Sequence, residues 1–204
     1  MKAGASCMWA RAGASMIDWL RGAGTVLLAP LALMLAGCVT APQALAPIPQ
    51  AETPRFDPFT FFDGATRGEG VLNKVRSDPV TVQVTSRGRI ITEGMREASW
   101  AAPPRRVLVI DQTIREGEKP ARERQWRLHE VAPGRFEGTL SDAISPVTAH
   151  VQGNLLVIEF AIKGSFKVRQ ELTLSPDGQR AHNVTRISQL GVTAAVLVED
   201  ILRE

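Results

Sequence analysis

Three histidines, His129, His150 and His182, are the imidazoles of this chain and the first place to look for a base or a metal ligand. They stand far apart in sequence, each within or beside a run of alternating apolar residues. A shared metal would need a curved sheet to collect them, so single hydrogen-bonded strand histidines are the expectation. Asp142, Ser145 and His150 have the residue types of acid, nucleophile and base within one polar stretch. Short polar loops assemble such trios through composition alone, and no catalysis is expected from this one. Carboxylates occur in Gly68-Glu69-Gly70 and Glu116-Gly117-Glu118. Acid–base work needs two of them facing across a cleft, and their spacing gives no warrant for that. No G-x-S-x-G elbow, H-E-x-x-H helix or P-loop occurs after Cys38. The reading is therefore no catalytic constellation, no metal site and no cofactor.

One residue does carry chemistry. The chain has two cysteines, Cys7 and Cys38, and Cys38 closes the apolar run Gly22 to Gly37 that follows Arg21. That run is too short to span a bilayer, which takes about 20 apolar residues, and Pro30 interrupts it. It has the proportions of a signal-peptide core with small residues at its exit. Leu35-Ala36-Gly37-Cys38 resembles the bacterial lipobox, in which the cysteine is alkylated by a diacylglyceryl group and becomes the mature N-terminus. The small Ala36 and Gly37 let a protease approach the backbone, and Cys38 supplies the thiol. Residues 1–37 are thus predicted to be a lipoprotein signal peptide, with Met16 a start of more usual size than Met1. The folded part has no second cysteine for a disulfide.

Residues 38–55 begin Cys38-Val39-Thr40 and hold four prolines without alternation. They predict an extended tether reaching about 50 Å at roughly 3.1 Å per residue. Inner-membrane retention signals place Asp after the cysteine, whereas this chain has Val39. Delivery to the outer membrane, facing the periplasm, is the expectation. The partners implied are membrane lipid around the acyl anchor and the machinery that processes and sorts lipoproteins.

The formal net charge is +3, but Lys2, Arg11 and Arg21 against Asp18 lie before Cys38, leaving 21 basic and 20 acidic residues in the remainder. Arg105-Arg106 and Arg122-Glu123-Arg124 are short, interrupted pairs, so nucleic acid is not an expected partner.

The positioning elements are strands. Val80, Val82 and Val84 alternate with Thr81, Gln83 and Thr85; Leu108, Ile110 and Ile114 follow suit. Trp126 and Leu128 share a face with Arg124 and Glu130, a mixed one. Phe136, Gly138 and Leu140 line up, then Val147, Ala149 and Val151 run into Gly153-Asn154, a hairpin turn. Leu156 to Ile162, Phe166 to Leu174, and two strands over about 182–189 and 192–201 complete the series. Eight or nine sequential strands with short loops and no amphipathic helix predict an all-β, antiparallel up-and-down barrel over residues 56–204, because closure removes exposed edges. A twisted open sheet is the alternative.

Before the strands, Phe56, Phe59, Phe61 and Phe62 gather four of the seven phenylalanines in nine residues, 56 to 64. They are predicted to form a lid over one barrel end rather than a membrane wedge.

Phe56-Asp57-Pro58, Phe61-Phe62-Asp63-Gly64, Gly70, Gln125-Trp126-Arg127, Gly138, Asp142, Gly153-Asn154-Leu155 and Pro176-Asp177-Gly178 resemble the motifs of a proteobacterial lipoprotein family whose domain has no known function. The resemblance covers the chain from Phe56 to its end and implies a lipocalin-like barrel on a lipid anchor. It brings no activity with it. Where members tend to carry an acidic pair followed by Trp-Met, this chain has Arg169-Gln170-Glu171-Leu172, so that pair's role is not carried over. Small barrels leave room for one apolar ligand, and Ala149, Ala194 and Gly138 would make such room. The expected function is a membrane-anchored, periplasm-facing protein binding a lipid or other apolar molecule. The alternative is a non-enzymatic envelope adaptor whose core Phe136, Phe160 and Phe166 fill.

Overall fold

Alternation becomes ten antiparallel strands: Gly64–Lys74 (β1), Val80–Glu93 (β2), Arg105–Glu116 (β3), Arg122–Ala132 (β4), Arg135–Leu140 (β5), Val147–Gln152 (β6), Leu155–Ile162 (β7), Phe166–Leu174 (β8), Arg180–Gln189 (β9) and Val192–Arg203 (β10). The computed structural model describes residues 46–94 and 104–204. Cys38, the signal residues Leu35, Ala36 and Gly37, and the first part of the tether lie outside the described residues.

Each strand pairs with its neighbour in sequence, and β1 pairs with β10 to close the barrel. The open-sheet alternative is thereby removed, and the expected count of eight or nine is corrected to ten. The added strand is β1, whose GATRGEG start lacks apolar alternation. It is a strand because its partners make it one: Gly70 faces Val82 on one side and Glu199 on the other. A Cβ on Gly70 would stand 2.3 Å from the Val198 carbonyl oxygen and 2.4 Å from the Glu199 Cβ. Glycine there admits a close strand crossing that other residues would not.

Inward residues Leu108, Ile110, Trp126, Leu128, Ile158 and Leu172 are all buried. Each such side chain contributes about 1.5–3 kcal/mol by leaving water.

The aromatic segment turns once. Asp57 caps the single-turn helix Pro58–Phe61 (α1), its carboxylate accepting from the Phe59 amide at 2.9 Å and from Thr60 Oγ1 at 2.6 Å. Proline at the first helical position suits that geometry, since its missing N–H would have no partner there. All four phenylalanines are buried in one cluster with Leu108, Phe136 and Leu156. They occupy the barrel end formed by the Gly88 region of β2 and the turns at Pro133-Gly134 and Gly153-Asn154.

The last part of the tether differs from its expected free, extended state. Ile48 is buried, and residues 46–55 run against the β6–β7 turn. Asn154 is the clasp: its Oδ1 accepts from the Ala51 amide (2.7 Å), while its Nδ2 donates to the carbonyls of Pro49 (3.1 Å) and Leu174 (2.9 Å). Its own amide donates to the Ala51 carbonyl at 2.8 Å. A proline-rich strap has unpaired backbone groups that one well-placed amide side chain can satisfy without any apolar periodicity. A chain cut at Arg55 would leave the buried Asn154 side chain short of two of these partners.

Candidate ligand site

The inward faces enclose a cavity of about 450 Å³. That falls in the range of small-molecule sites, roughly 300–1,000 Å³. Phe62 from the aromatic segment borders it, and at the opposite barrel end it reaches Arg122, Asp142 and Lys163 in and beside the loops. Most of its wall is apolar, including Leu72, Val84, Ile158, Val168, Leu172 and Ile201. Trp126 stands in that wall, packed edge-on against Phe160 at 5.4 Å between ring centres.

Polar residues interrupt the wall in two places. On β3 and β4, Gln112 Oε1 accepts from both Trp126 Nε1 (2.6 Å) and Arg124 Nε (2.9 Å). Its Nε2 donates to Ser86 Oγ at 3.0 Å, which fixes the amide orientation. The Arg124 guanidinium lies over the Trp126 ring, 5.1 Å from its centre, an attraction that needs no counter-charge. Part of the Arg124 surface faces the lumen rather than bulk water. Burial pushes its pKa down to about 10, so it remains charged at neutrality.

On β9 and β10, Glu199 is 5% exposed; its Oε1 accepts from Asn183 Nδ2 at 2.9 Å, and its Oε2 has no partner among the described residues. Burial raises the Glu199 pKa, and the Asn183 hydrogen bond and the Arg124 charge offset this only in part. A carboxyl raised in the folded state holds its proton more tightly folded than unfolded. Its contribution to stability is whole below the unfolded value and is lost as pH rises from there through the folded value. As pH rises above the ordinary glutamate range, the urea midpoint of the native protein should therefore fall relative to that of Glu199→Gln. Parallel curves for the two proteins would show that Glu199 is not held protonated.

Of the other charged lining groups, Lys163 has no ion-pair partner among the described residues, and the rest are paired. Glu116 is bound by Lys74 and by Lys119 (2.8 Å), and Asp142 by Arg122 (2.9 Å). The trio considered from sequence is not brought together. Ser145 Oγ donates to the Pro146 carbonyl (2.9 Å) and accepts from the Ala161 amide (2.8 Å), Asp142 binds Arg122, and His150 is exposed on β6. His129 Nε2 lies 3.3 Å from Arg105 Nη1, and His182 Nδ1 lies 2.9 Å from Asp200 Oδ1. Among the described residues, no group of histidine, cysteine or carboxylate side chains could hold a metal ion.

Arg124, Gln112, Gln170, Asn183 and Glu199 were not singled out by their residue types. One signal was present: Arg124 shares the Trp126 and Leu128 face, so a cation on an inward face could be read from period two. In the divergent Arg169–Leu172 stretch, Gln170 and Leu172 line the cavity. Arg169 instead joins Glu159 and Glu171 in ion pairs.

No curated protein matches the sequence. Among solved structures, the chain is similar to an S-type phycobiliprotein lyase from Guillardia theta, with a TM-score of 0.53 at 8% identity over 72% of this chain and 90% of that one. At that identity the likeness is one of fold, a lipocalin-like barrel. A family described as "Protein of unknown function (DUF3833)" matches residues 32–198. The chain belongs to this family and carries it on a closed, ten-stranded antiparallel barrel.

Proposed function

We propose that the barrel binds one small molecule with a large apolar part, and that Cys38 anchors it by acyl chains to a membrane, the outer membrane facing the periplasm. The cavity of about 450 Å³ carries the binding reading. An adaptor needs no such space, and Phe136 and Phe160 leave it open although both are buried. That the similar solved structure is a phycobiliprotein lyase is consistent with a barrel that binds a ligand.

Gly68 provides the test. It borders the cavity, and a Cβ there would meet its nearest neighbour, Val84 Cβ, at 3.4 Å, an ordinary contact. Gly68→Leu should place an isobutyl group in the lumen without displacing backbone. The native protein should take up the neutral dye N-phenyl-1-naphthylamine with enhanced emission, and Gly68→Leu should reduce uptake about tenfold or more, with the urea midpoint little changed. Equal dye binding by both proteins would place the dye elsewhere and remove the support for a lumen site.

The anchor rests on the order of the apolar run, Leu35-Ala36-Gly37 and Cys38. Cys38→Ala should abolish palmitate labelling and leave the unprocessed chain; a surviving labelled band would refute the anchor.

A further inference from the structure

Six charged residues line the cavity, and their pairing leaves a remainder. Glu116 is held by two lysines and Asp142 by Arg122. Glu199 lies buried beside Asn183, with burial favouring its neutral form. Arg124 and Lys163 have no carboxylate within ion-pair distance among the described residues. Arg124 gives its Nε–H to Gln112 and its planar face to Trp126, while its terminal nitrogens have no acceptor among the described residues. A cation in a largely apolar enclosure, with Asp142 and Glu199 near enough to favour its charge but no carboxylate in direct contact, retains a capacity for an anionic partner. Here the two nearest fixed structures, the Gln112 carbonyl and the Trp126 face, orient the guanidinium without neutralising it.

The same lumen wall carries a second unsatisfied polar group, Glu199 Oε2, which is buried without a partner among the described residues. Burial favours the neutral form of Glu199, the form that opposes an incoming anion least. Ser86, Gln170 and Thr185 add hydrogen-bonding groups to a largely apolar enclosure. Such a site has the composition of an amphiphile pocket: a long apolar wall for a chain, and one unpaired, planar cation for a head.

Resting on the binding reading above, we infer that the lumen takes an amphiphile with a single alkyl or acyl chain and an anionic head group, a carboxylate, which receives the terminal N–H groups of Arg124. The fork of a guanidinium matches the two oxygens of a carboxylate, and the aliphatic wall takes the chain. A neutral head would leave Arg124 uncompensated, and a cationic head would be repelled by both Arg124 and Lys163.

Native mass spectrometry of the full chain, incubated in turn with laurate, dodecanol and dodecylamine, tests this. Laurate should bind roughly ten to a hundred times more tightly than dodecanol, the range of a charge-assisted hydrogen bond or two, and dodecylamine least of all. Arg124→Gln should remove the preference for laurate, bringing the ratio of laurate to dodecanol affinity to about one, with far-ultraviolet circular dichroism reporting whether the barrel is intact. Arg124→Lys should keep part of the preference. The comparison among the three ligands on the native chain is decisive even if both variants fail to fold. Equal binding of laurate and dodecanol, or preference for dodecylamine, overturns the anionic head group and leaves the apolar site standing. Binding of none of the three overturns both.

Discussion

Phe61→Ala should lower the unfolding free energy by about 3–5 kcal/mol, the usual cost of deleting a fully buried ring. Phe61 is 2% exposed, 5.3 Å from Phe56 and 4.9 Å edge-on from Phe62, measured between ring centres. It sits in a segment with a single helical turn, so little local hydrogen bonding can compensate for the loss. Urea unfolding followed by far-ultraviolet circular dichroism gives the number. A near-zero shift would show that the aromatic segment merely rests on the barrel. A large loss together with greater uptake of the neutral dye would show that the segment closes the lumen, since Phe62 borders the cavity. A large loss without added uptake would mean that the remaining rings repack over that end.

Gly88→Ala should cost at least about 3 kcal/mol, at the upper end of the overpacking range, because the obstacle is backbone. A Cβ on Gly88 would stand 1.7 Å from the Phe62 carbonyl oxygen. The aromatic segment can lie this close to β2 only because a glycine occupies the facing position. Adding a methyl group must push Phe62 away and loosen the ring cluster that Phe61 belongs to. The two substitutions therefore act on one structure, and the double variant should lose clearly less than the sum of the single losses. Strict additivity would mean that Gly88 and the ring cluster are uncoupled. A Gly88→Ala protein with native stability would refute the close approach.

These two expectations share a cause with the ligand site. The rings at one end and the paired charges at the other bound the same lumen. Loss of the rings should therefore weaken retention of an apolar chain more than recognition of its head. Arg124→Gln should do the reverse.

The fold was legible in local chemistry. Period-two alternation from Val80 onward, hairpin turns at Gly153-Asn154 and Pro176-Asp177-Gly178, and the absence of helical periodicity imply sequential antiparallel strands. These signals are local because a strand's two faces are written in successive residues. β1 escaped them, since its glycines and charges become a strand only between β2 and β10, where the crossing leaves no room for a Cβ at Gly70. The strap over the β6–β7 turn escaped for the same reason: Asn154 bonds to Pro49 and Ala51 across more than 100 positions. Tertiary structure alone decided the lumen chemistry. A cation on the Trp126 face is visible in β4, but whether it meets a carboxylate depends on which strands curl opposite it. Glu199 joins it there through closure of β1 onto β10, a contact between the two ends of the barrel sequence that no local pattern encodes.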